Sequence, residues 1–177
     1  MIREVFGNSI QLCACDFRDS GIYKNFFDFS QVEYTELTDP IKLPYKDQVF
    51  DVVIASGVLE HSAMDYESLK ELHRVIKDGG HIIITFLPNR GSFTEFISRI
   101  IGRGNHLRTY GLKDTDRMLR HYGFIPSYAN YRQFIPSQRG QVLFKYLWPF
   151  NSILEKFWPT KIFCANLMFV AKRCSYL

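Results

Sequence analysis

The feature that most constrains this fold is an ordered strand–helix–strand pattern within residues 39–89. An apolar strand at 50–55 leads through a small-residue loop into a charged amphipathic helix at 65–77. The pair Gly79-Gly80 follows and should end that helix, because glycine tolerates the left-handed conformation that closes helices. A second apolar strand is predicted at 81–86. Short apolar strands that alternate with helices are typical of an α/β fold.

The rest of the chain continues this alternation. Strands are predicted at about 9–14, 32–38, 124–131 and 164–171, and helices at about 20–28, from Ser92, at 112–122 and over most of 140–160. Ser92 and Glu95 have the spacing of a capping box, which marks the start of a helix. With 177 residues and 46% hydrophobic content, the chain is expected to form a single domain over 1–177.

Composition excludes several classes of protein. No segment reaches the ~18 uncharged apolar residues of a membrane span, and residues 1–11 lack the apolar stretch of a signal peptide. The cysteines, at 13, 15, 164 and 174, form no CxxC pair, so a reduced, cytoplasmic setting is expected. Cys13 and Cys15 have no clustered histidine partner, which argues against a metal site and favours small buried residues.

Charge is divided unevenly along the chain. Residues 1–90 carry 9 Lys+Arg against 14 Asp+Glu, whereas residues 91–177 carry 13 against 4. Two interpretations stay open: the charges solvate two faces of the domain, or the basic half approaches an anionic substrate or an acidic membrane surface. There is no zinc-finger spacing and no aromatic RNA-binding motif, so nucleic acid is not an expected partner.

Aromatic residues crowd into 141–160 beside lysines. Trp and Tyr next to lysine suit a lipid headgroup boundary, so a peripheral membrane contact is one interpretation of this segment. The segment would otherwise cover a substrate pocket, bind a partner protein or pack on the sheet.

Residues 39–125 resemble the class I S-adenosylmethionine-dependent methyltransferases, in particular a small group with the motif LPF-x-D-x-x-FD. That motif reads here Leu43-Pro44-Tyr45-Lys46-Asp47-Gln48-Val49-Phe50-Asp51. Further similar segments are Val58–His61, Leu72–Gly80, His106–Tyr110 and His121–Phe124. The resemblance implies a Rossmann-like doubly wound sheet, mostly parallel with an antiparallel last strand, and S-adenosylmethionine as the cofactor.

The same resemblance implies roles for individual residues. Asp39 matches an acid that hydrogen-bonds the adenine amino group, although an ordinary Asp-Pro turn is the alternative. The cofactor's methionine side would be lined by Ser56, Gly57 and Leu59. His61 lies on the loop that faces the transferred methyl group, although it is equally suited to cap the next helix.

The chain departs from the family pattern near its N-terminus. The family opens with a strand, an acid and a glycine-rich loop; the register that fits best places Gln11 at the acid and Cys13 and Cys15 at the two glycines. Each cysteine would add a side chain to a surface that should be bare. The N-terminal βα part is also shortened, so strand 32–38 is either the second or the third of the family, with Glu36 as the candidate for the ribose.

These observations predict a methyltransferase that acts on a small or lipid- or glycan-linked, anionic acceptor. In this interpretation 1–38 is a truncated cofactor-loop region, 39–90 the best-matched core and 91–177 the basic, aromatic-rich substrate side. His61 or His106 would take a proton from the acceptor. The alternative is a methyltransferase-fold protein without turnover that serves as a binding or regulatory subunit. A nicotinamide-dependent dehydrogenase is disfavoured because the chain contains no GxGxxG.

Overall fold

The computed structural model describes residues 5, 7, 9–17, 30–62, 64–100, 102, 108–134, 150, 153–154 and 156–175. The chain divides into two compact units, Met1–Tyr45 and Lys46–Leu177. The helix predicted at 20–28, most of the aromatic segment 141–160 and His106 lie outside the described residues. Single-domain organisation therefore stays a prediction.

The first unit contains two short parallel strands, β1 (Cys13–Asp16) and β2 (Glu33–Glu36). Cys13 pairs with Glu33, and the register continues to Asp16 opposite Glu36. The hydroxyl of Tyr45 donates to the carbonyl of Ala14 over 3.5 Å, and burial raises the pKa of Tyr45 to about 12. The Tyr45 hydroxyl thus stays protonated at neutral pH and connects the Leu-Pro turn to β1.

The prediction of a first strand at 9–14 is wrong in its register, because β1 begins at Cys13. Cys13 and Cys15 therefore lie within the strand and not in the loop that follows it. The strand ends in an acid, Asp16, which the sequence analysis did not consider. A four-residue strand carries too little periodicity for its bounds to be fixed without its parallel partner.

The second unit is built around a four-stranded sheet in the order β3-β4-β6-β5. Its strands are β3 (Phe50–Ser56), β4 (Ile76–Pro88), β5 (Phe124–Arg132) and β6 (Asn166–Arg173). The strands β3 and β4 are parallel, whereas β6 runs antiparallel to both β4 and β5. The α/β class and the antiparallel last strand are thus confirmed.

The described helices of this unit are α1 (Asp65–Val75), α2 (Phe93–Ile100), α3 (Leu112–His121) and the short α4 (Trp158–Lys161). At the start of α2, the hydroxyl of Ser92 accepts the backbone N–H of Glu95 over 3.3 Å, as the capping-box spacing predicts. No described helix is long and apolar enough to cross a membrane.

The prediction that Gly79 and Gly80 end the helix is wrong. The helix ends at Val75, and both glycines lie inside β4. Between the pairs Phe50–Ile76 and Val52–His81 the β3–β4 register shifts, so extra residues of β4 bulge out. Gly79 has φ of +75°, and a Cβ on Gly80 would stand 2.9 Å from the carbonyl oxygen of Asp51. The glycines therefore permit a bulge.

The core lies between the sheet and helices α1 and α3. The largest fully buried side chains on the central strands are Ile76, Ile82, Ile84, Leu87, Leu167 and Phe169. Helix α1 contributes Leu69, Leu72 and Val75 to the core, and α3 contributes Leu119. This apolar core fixes the carboxyl ends of β3 and β4, where the candidate site residues of this unit lie.

Candidate functional site

The parallel strands β3 and β4 end at the same edge of the sheet, the edge at which ligands of doubly wound folds bind. Ser56 ends β3, and its hydroxyl accepts a hydrogen bond from Thr85 over 2.9 Å. Gly57 follows with φ of +64°, a left-handed conformation that favours glycine. The N–H of Gly57 donates to the carbonyl of Thr85 over 3.1 Å. The predicted site residues Ser56 and Gly57 thus form a fixed turn at this edge.

The loop after this turn carries His61 and Leu59, which have different surroundings. The side chain of His61 is 59% exposed, and its Nε2 lies 3.9 Å from Oε1 of buried Glu60. Helix α1 has Met64 at its cap position and no side-chain cap hydrogen bond, so His61 does not cap it. Leu59 is only 1% exposed and belongs to the core.

A buried carboxylate at the first residue of α1 organises the neighbouring segment. Asp65 is 3% exposed, and its Oδ1 accepts a hydrogen bond from Nη1 of Arg108. Its Oδ2 accepts the hydroxyl of Tyr110 over 3.1 Å. The same hydroxyl lies 3.2 Å from the carbonyl oxygen of Leu59, and burial raises the pKa of Tyr110. A protonated tyrosine, a carboxylate and a guanidinium thus connect the β3 loop to residues 108–110.

A buried asparagine holds the segment after β4. Nδ2 of Asn89 donates to the carbonyls of Ile162 and Cys164, each over 2.8 Å, and its Oδ1 accepts the N–H of Gly91. Asn89 also forms an isolated bridge with Tyr110. This places Arg90, whose Nη1 lies 3.2 Å from Oδ2 of Asp114, beside residues 108–110.

These residues surround a cavity of about 420 Å³. Its lining includes Asp65, Tyr66, Arg90, Arg108 and Tyr110. Its lining residues belong to the second unit and come after β3 or β4 along the chain. The sequence analysis gave Asp65, Arg90 and Tyr110 no role in the site. The available signal was the segment His106–Tyr110, which matches the family pattern and contains Arg108 and Tyr110.

In the first unit, the predicted cofactor residues have separate settings. Gln11 is exposed and precedes β1, whereas Cys13 and Cys15 are half-buried within it. Burial raises the pKa of both thiols, and the Glu33 carboxylate raises that of Cys13 further. Both shifts disfavour the thiolate form that a nucleophilic cysteine requires.

Asp39 forms the turn that the sequence offered as an alternative and also keeps a carboxylate available. Its Oδ1 accepts the backbone N–H groups of Ile41 over 2.8 Å and of Lys42 over 2.7 Å. The hydrogen bond from Lys42, then that from Ile41, lower the pKa of Asp39, so the group is ionised at neutral pH. Both bonds use Oδ1, and no described residue donates to Oδ2.

Comparison with known proteins finds a family model that matches part of the chain. Residues 5–84 match the methyltransferase domain family. A demethylmenaquinone methyltransferase of Streptomyces griseus is 38% identical over 69 residues, which are 36% of this chain and 30% of that protein. The chain thus spans about a third of the length of this curated relative.

Solved structures match over nearly the whole chain, at low identity. A Haloferax volcanii protein described as a methyltransferase, solved in complex with the Trm112 methyltransferase activator, has a TM-score of 0.71 at 12% identity. The match covers 99% of this chain and 78% of that one.

The 1,6-didemethyltoxoflavin-N1-methyltransferase of Burkholderia thailandensis, solved with its substrate and S-adenosylhomocysteine, has a TM-score of 0.64 at 12% identity. The match covers 98% of this chain and 66% of that one. At this identity the structural likeness concerns the fold. The chain therefore has the fold of the class I S-adenosylmethionine-dependent methyltransferases, with the methyltransferase domain match over residues 5–84.

Proposed function

We propose that this chain is an S-adenosylmethionine-dependent methyltransferase that acts on a small or lipid- or glycan-linked, anionic acceptor in the cytoplasm. The observation that carries the proposal is the methyltransferase domain match over residues 5–84, which contains Asp39 and the Ser56-Gly57 turn. The chemistry of Asp39 and of the Ser56-Gly57 turn supports the proposal.

The described residues include the types of chemical group that would hold the cofactor. Asp39 offers an ionised carboxylate oxygen to an amino group. Asp16 ends β1 with an exposed carboxylate, the group that accepts ribose hydroxyls at strand ends of doubly wound folds. Gly57 leaves the turn after β3 without a side chain. When bound, S-adenosylmethionine supplies an electrophilic methyl group, so the protein's task is to orient the acceptor and exclude water.

His61 is the proposed proton acceptor. Its exposed imidazole lies on the loop after Gly57, beside the buried carboxyl group of Glu60. A neutral imidazole at this position would take the proton that the acceptor releases, a contribution of typically 10²–10⁴-fold to the rate. His61→Gln should therefore lower kcat by at least about 10²-fold and leave cofactor affinity unchanged. Equal kcat in the variant would remove His61 from this role.

The acceptor class is proposed from charge and from the cavity. Residues 91–177 carry 13 Lys+Arg against 4 Asp+Glu, and Arg90 and Arg108 line the 420 Å³ cavity. Guanidinium groups suit carboxylate and phosphate groups because their N–H donors match two anionic oxygens. Asp65 and Asp114 also line the cavity and hold Arg108 and Arg90 in place through ion pairs.

The alternative without turnover loses one of its supports. It was based on Cys13 and Cys15 in a glycine-rich loop, and both residues lie in β1 instead. An experiment can still distinguish the methyltransferase from a binding subunit without turnover. A turnover-free subunit would bind S-adenosylhomocysteine, or nothing, and transfer no methyl group to any fraction of a cell extract.

Thermal unfolding with S-adenosylhomocysteine tests the cofactor first. Saturable stabilisation of about 2.7 kcal/mol is expected at 100 times the Kd. Asp39→Asn should weaken binding while its amide oxygen still accepts the turn hydrogen bonds. Asp51→Asn, which alters an 82%-exposed acid paired with Lys77, is the matched control and should bind like the wild type. No stabilisation at millimolar ligand would overturn the proposal.

Transfer from methyl-labelled S-adenosylmethionine into lipid and polar extract fractions then tests the acceptor. Label in anionic lipid or anionic polar products is expected. Label confined to nucleic acid would contradict the proposed acceptor class.

A further inference from the structure

Helix α2 has its apolar face turned outward. The side chains at i, i+3, i+4 and i+7 of this helix are Phe93, Phe96, Ile97 and Ile100, and they are between 39% and 69% exposed. On the other face, Thr94 and Glu95 are half-buried. An ordinary amphipathic helix of a soluble domain presents the opposite arrangement. The sequence period predicted the helix but not this orientation.

The turn after α4 extends the same surface. The carbonyl of Phe163 accepts the N–H of Phe93 over 3.3 Å, and the carbonyl of Ile162 accepts the side-chain amide of Asn89, four residues before α2. Ile162 and Phe163 are 41% and 45% exposed. We call the outward side chains of α2 together with Ile162 and Phe163 the apolar surface. Patches of this kind mark interaction sites.

Basic residues accompany this surface. The sequence of 90–100 and 153–163 carries Arg90, Arg99, Lys156 and Lys161 against Glu95 and Glu155, and Arg90 is paired with Asp114. Arg99 lies in the last turn of α2, and its Nη2 donates to the hydroxyl of Thr109 over 3.1 Å. An apolar helix face bordered by Lys and Arg is the pattern of a helix that lies in a lipid interface.

The positive charge beside the apolar surface favours an anionic bilayer over a second copy of this chain as its binding partner. A second copy of this chain would bring the same cations against one another, which like-charge repulsion disfavours. An anionic bilayer surface attracts each cation and also accepts the apolar side chains at its headgroup boundary. The position fits this occupant, because Arg90, immediately before the helix region, lines the cavity, and Thr109, the partner of Arg99, lines it too.

We propose that α2 and the turn after α4 dock this protein on an anionic lipid surface, with Phe93, Phe96, Ile97 and Ile100 inserted at the headgroup boundary. In the docked protein the cavity would open beside the bilayer, within reach of the anionic group of a lipid. Docking needs neither cofactor nor methyl transfer, so it stands or falls independently of the proposed enzyme.

Co-sedimentation with vesicles of known composition tests the docking. Wild-type protein should bind vesicles of phosphatidylcholine mixed with phosphatidylglycerol and should bind phosphatidylcholine vesicles far more weakly. Raising the salt to ~0.5 M should weaken binding, because screening shortens the reach of the charges. Phe96→Glu combined with Ile100→Glu should weaken binding by at least about tenfold, since buried apolar area sets much of the affinity.

Ile125→Glu is the control, because Ile125 is 48% exposed on β5, opposite Lys172 of β6, where a carboxylate is accommodated. It should bind vesicles like the wild type, and circular dichroism should show all variants folded. Absence of wild-type binding to the anionic vesicles would overturn the proposal. Equal losses in the control and the double variant would also overturn it, as would a dimer in solution that only the double variant disrupts.

Discussion

At the scale of single residues, the least predictable part of the candidate site is its buried charge. Asp65 lies 43 residues from Arg108 and 45 from Tyr110, so no local spacing in the sequence indicates that the three meet. A carboxylate with 4% side-chain exposure must be paired, since a lone buried charge is strongly disfavoured. Arg108 and Tyr110 provide that pairing.

Asp65→Asn should therefore destabilise the protein by about 2 kcal/mol, because it removes hydrogen bonds to a charged, buried acceptor. Urea unfolding measures this loss. The matched control is Asp114→Asn, which breaks the exposed pair with Arg90 and should change the unfolding free energy by less than about 0.5 kcal/mol. Similar losses in the two variants would show that the Asp65 pair contributes no more than a surface ion pair.

At the scale of elements, one histidine connects α1 to the end of β6. Nε2 of His73 lies 3.2 Å from the carbonyl oxygen of Cys174, and its Nδ1 lies 3.4 Å from Nε of Arg173. The neutral ring with its proton on Nε2 satisfies both contacts, because it donates to the carbonyl and accepts from the arginine. A second proton on Nδ1 would face the guanidinium.

Burial, followed by the charge of Arg173, lowers the pKa of His73. The folded state thus binds fewer protons than the unfolded state below about pH 6.5, so stability is complete above that value and declines as pH falls. Urea midpoints at pH 7.5 and 5.5 should show this decline. His73→Gln, which keeps a donor and an acceptor, should reduce the decline, whereas His121→Gln on exposed α3 should not. An unchanged decline in His73→Gln would assign it to other groups.

The bulge in β4 gives a second prediction at this scale. A Cβ on Gly80 would stand 2.7 Å from Cγ2 of Ile76 and 2.9 Å from two backbone carbonyls, so Gly80→Ala should destabilise by about 1–3 kcal/mol. Gly79→Asn is the control, because asparagine tolerates positive φ and its Cβ would only touch Lys172. Thermal unfolding compares them; a Gly80→Ala midpoint equal to the wild type would mean that the bulge relaxes freely.

At the scale of the whole molecule, the outer strands of the described four-stranded sheet are the ones that could pair with a further strand. Among the described strands, β3 is one of the two outer ones, and its Val52 and Ile54 are each 49% exposed. An apolar outer strand can act as a template for pairing with another chain. Ile54→Lys should therefore shift the protein toward monomer at high concentration, as measured by light scattering after size exclusion.

Tyr128→Lys on β5, the other outer strand, adds the same charge and serves as its control. If both substitutions increase the monomer fraction equally, net charge and not the β3 edge governs association.

The sequence predicted the elements from β3 to β6 to within a few residues at most ends, because apolar periodicity and the Ser92 cap are local signals. The prediction failed where the pairing of one strand with another determines the local structure. The bulge at Gly79 and Gly80 exists only because β3 lies beside β4, and the register of β1 depends on β2. The α/β class follows from the alternation of strands and helices, whereas the Rossmann-like arrangement of the sheet and the cofactor came from the family resemblance.

The strand order β3-β4-β6-β5 also determines the order in which the strands can pair during synthesis. β5 is made before β6, yet among the described strands β6 is its one neighbour. β5 ends at Arg132 and β6 begins at Asn166, a gap of about 33 residues that a ribosome crosses in about 2–7 s at ~5–20 residues per second. During that interval the completed β5 has none of the described strands beside it. The nascent chain must therefore wait, with β3 and β4 as the pair that can form early, until its last strand arrives and closes the sheet.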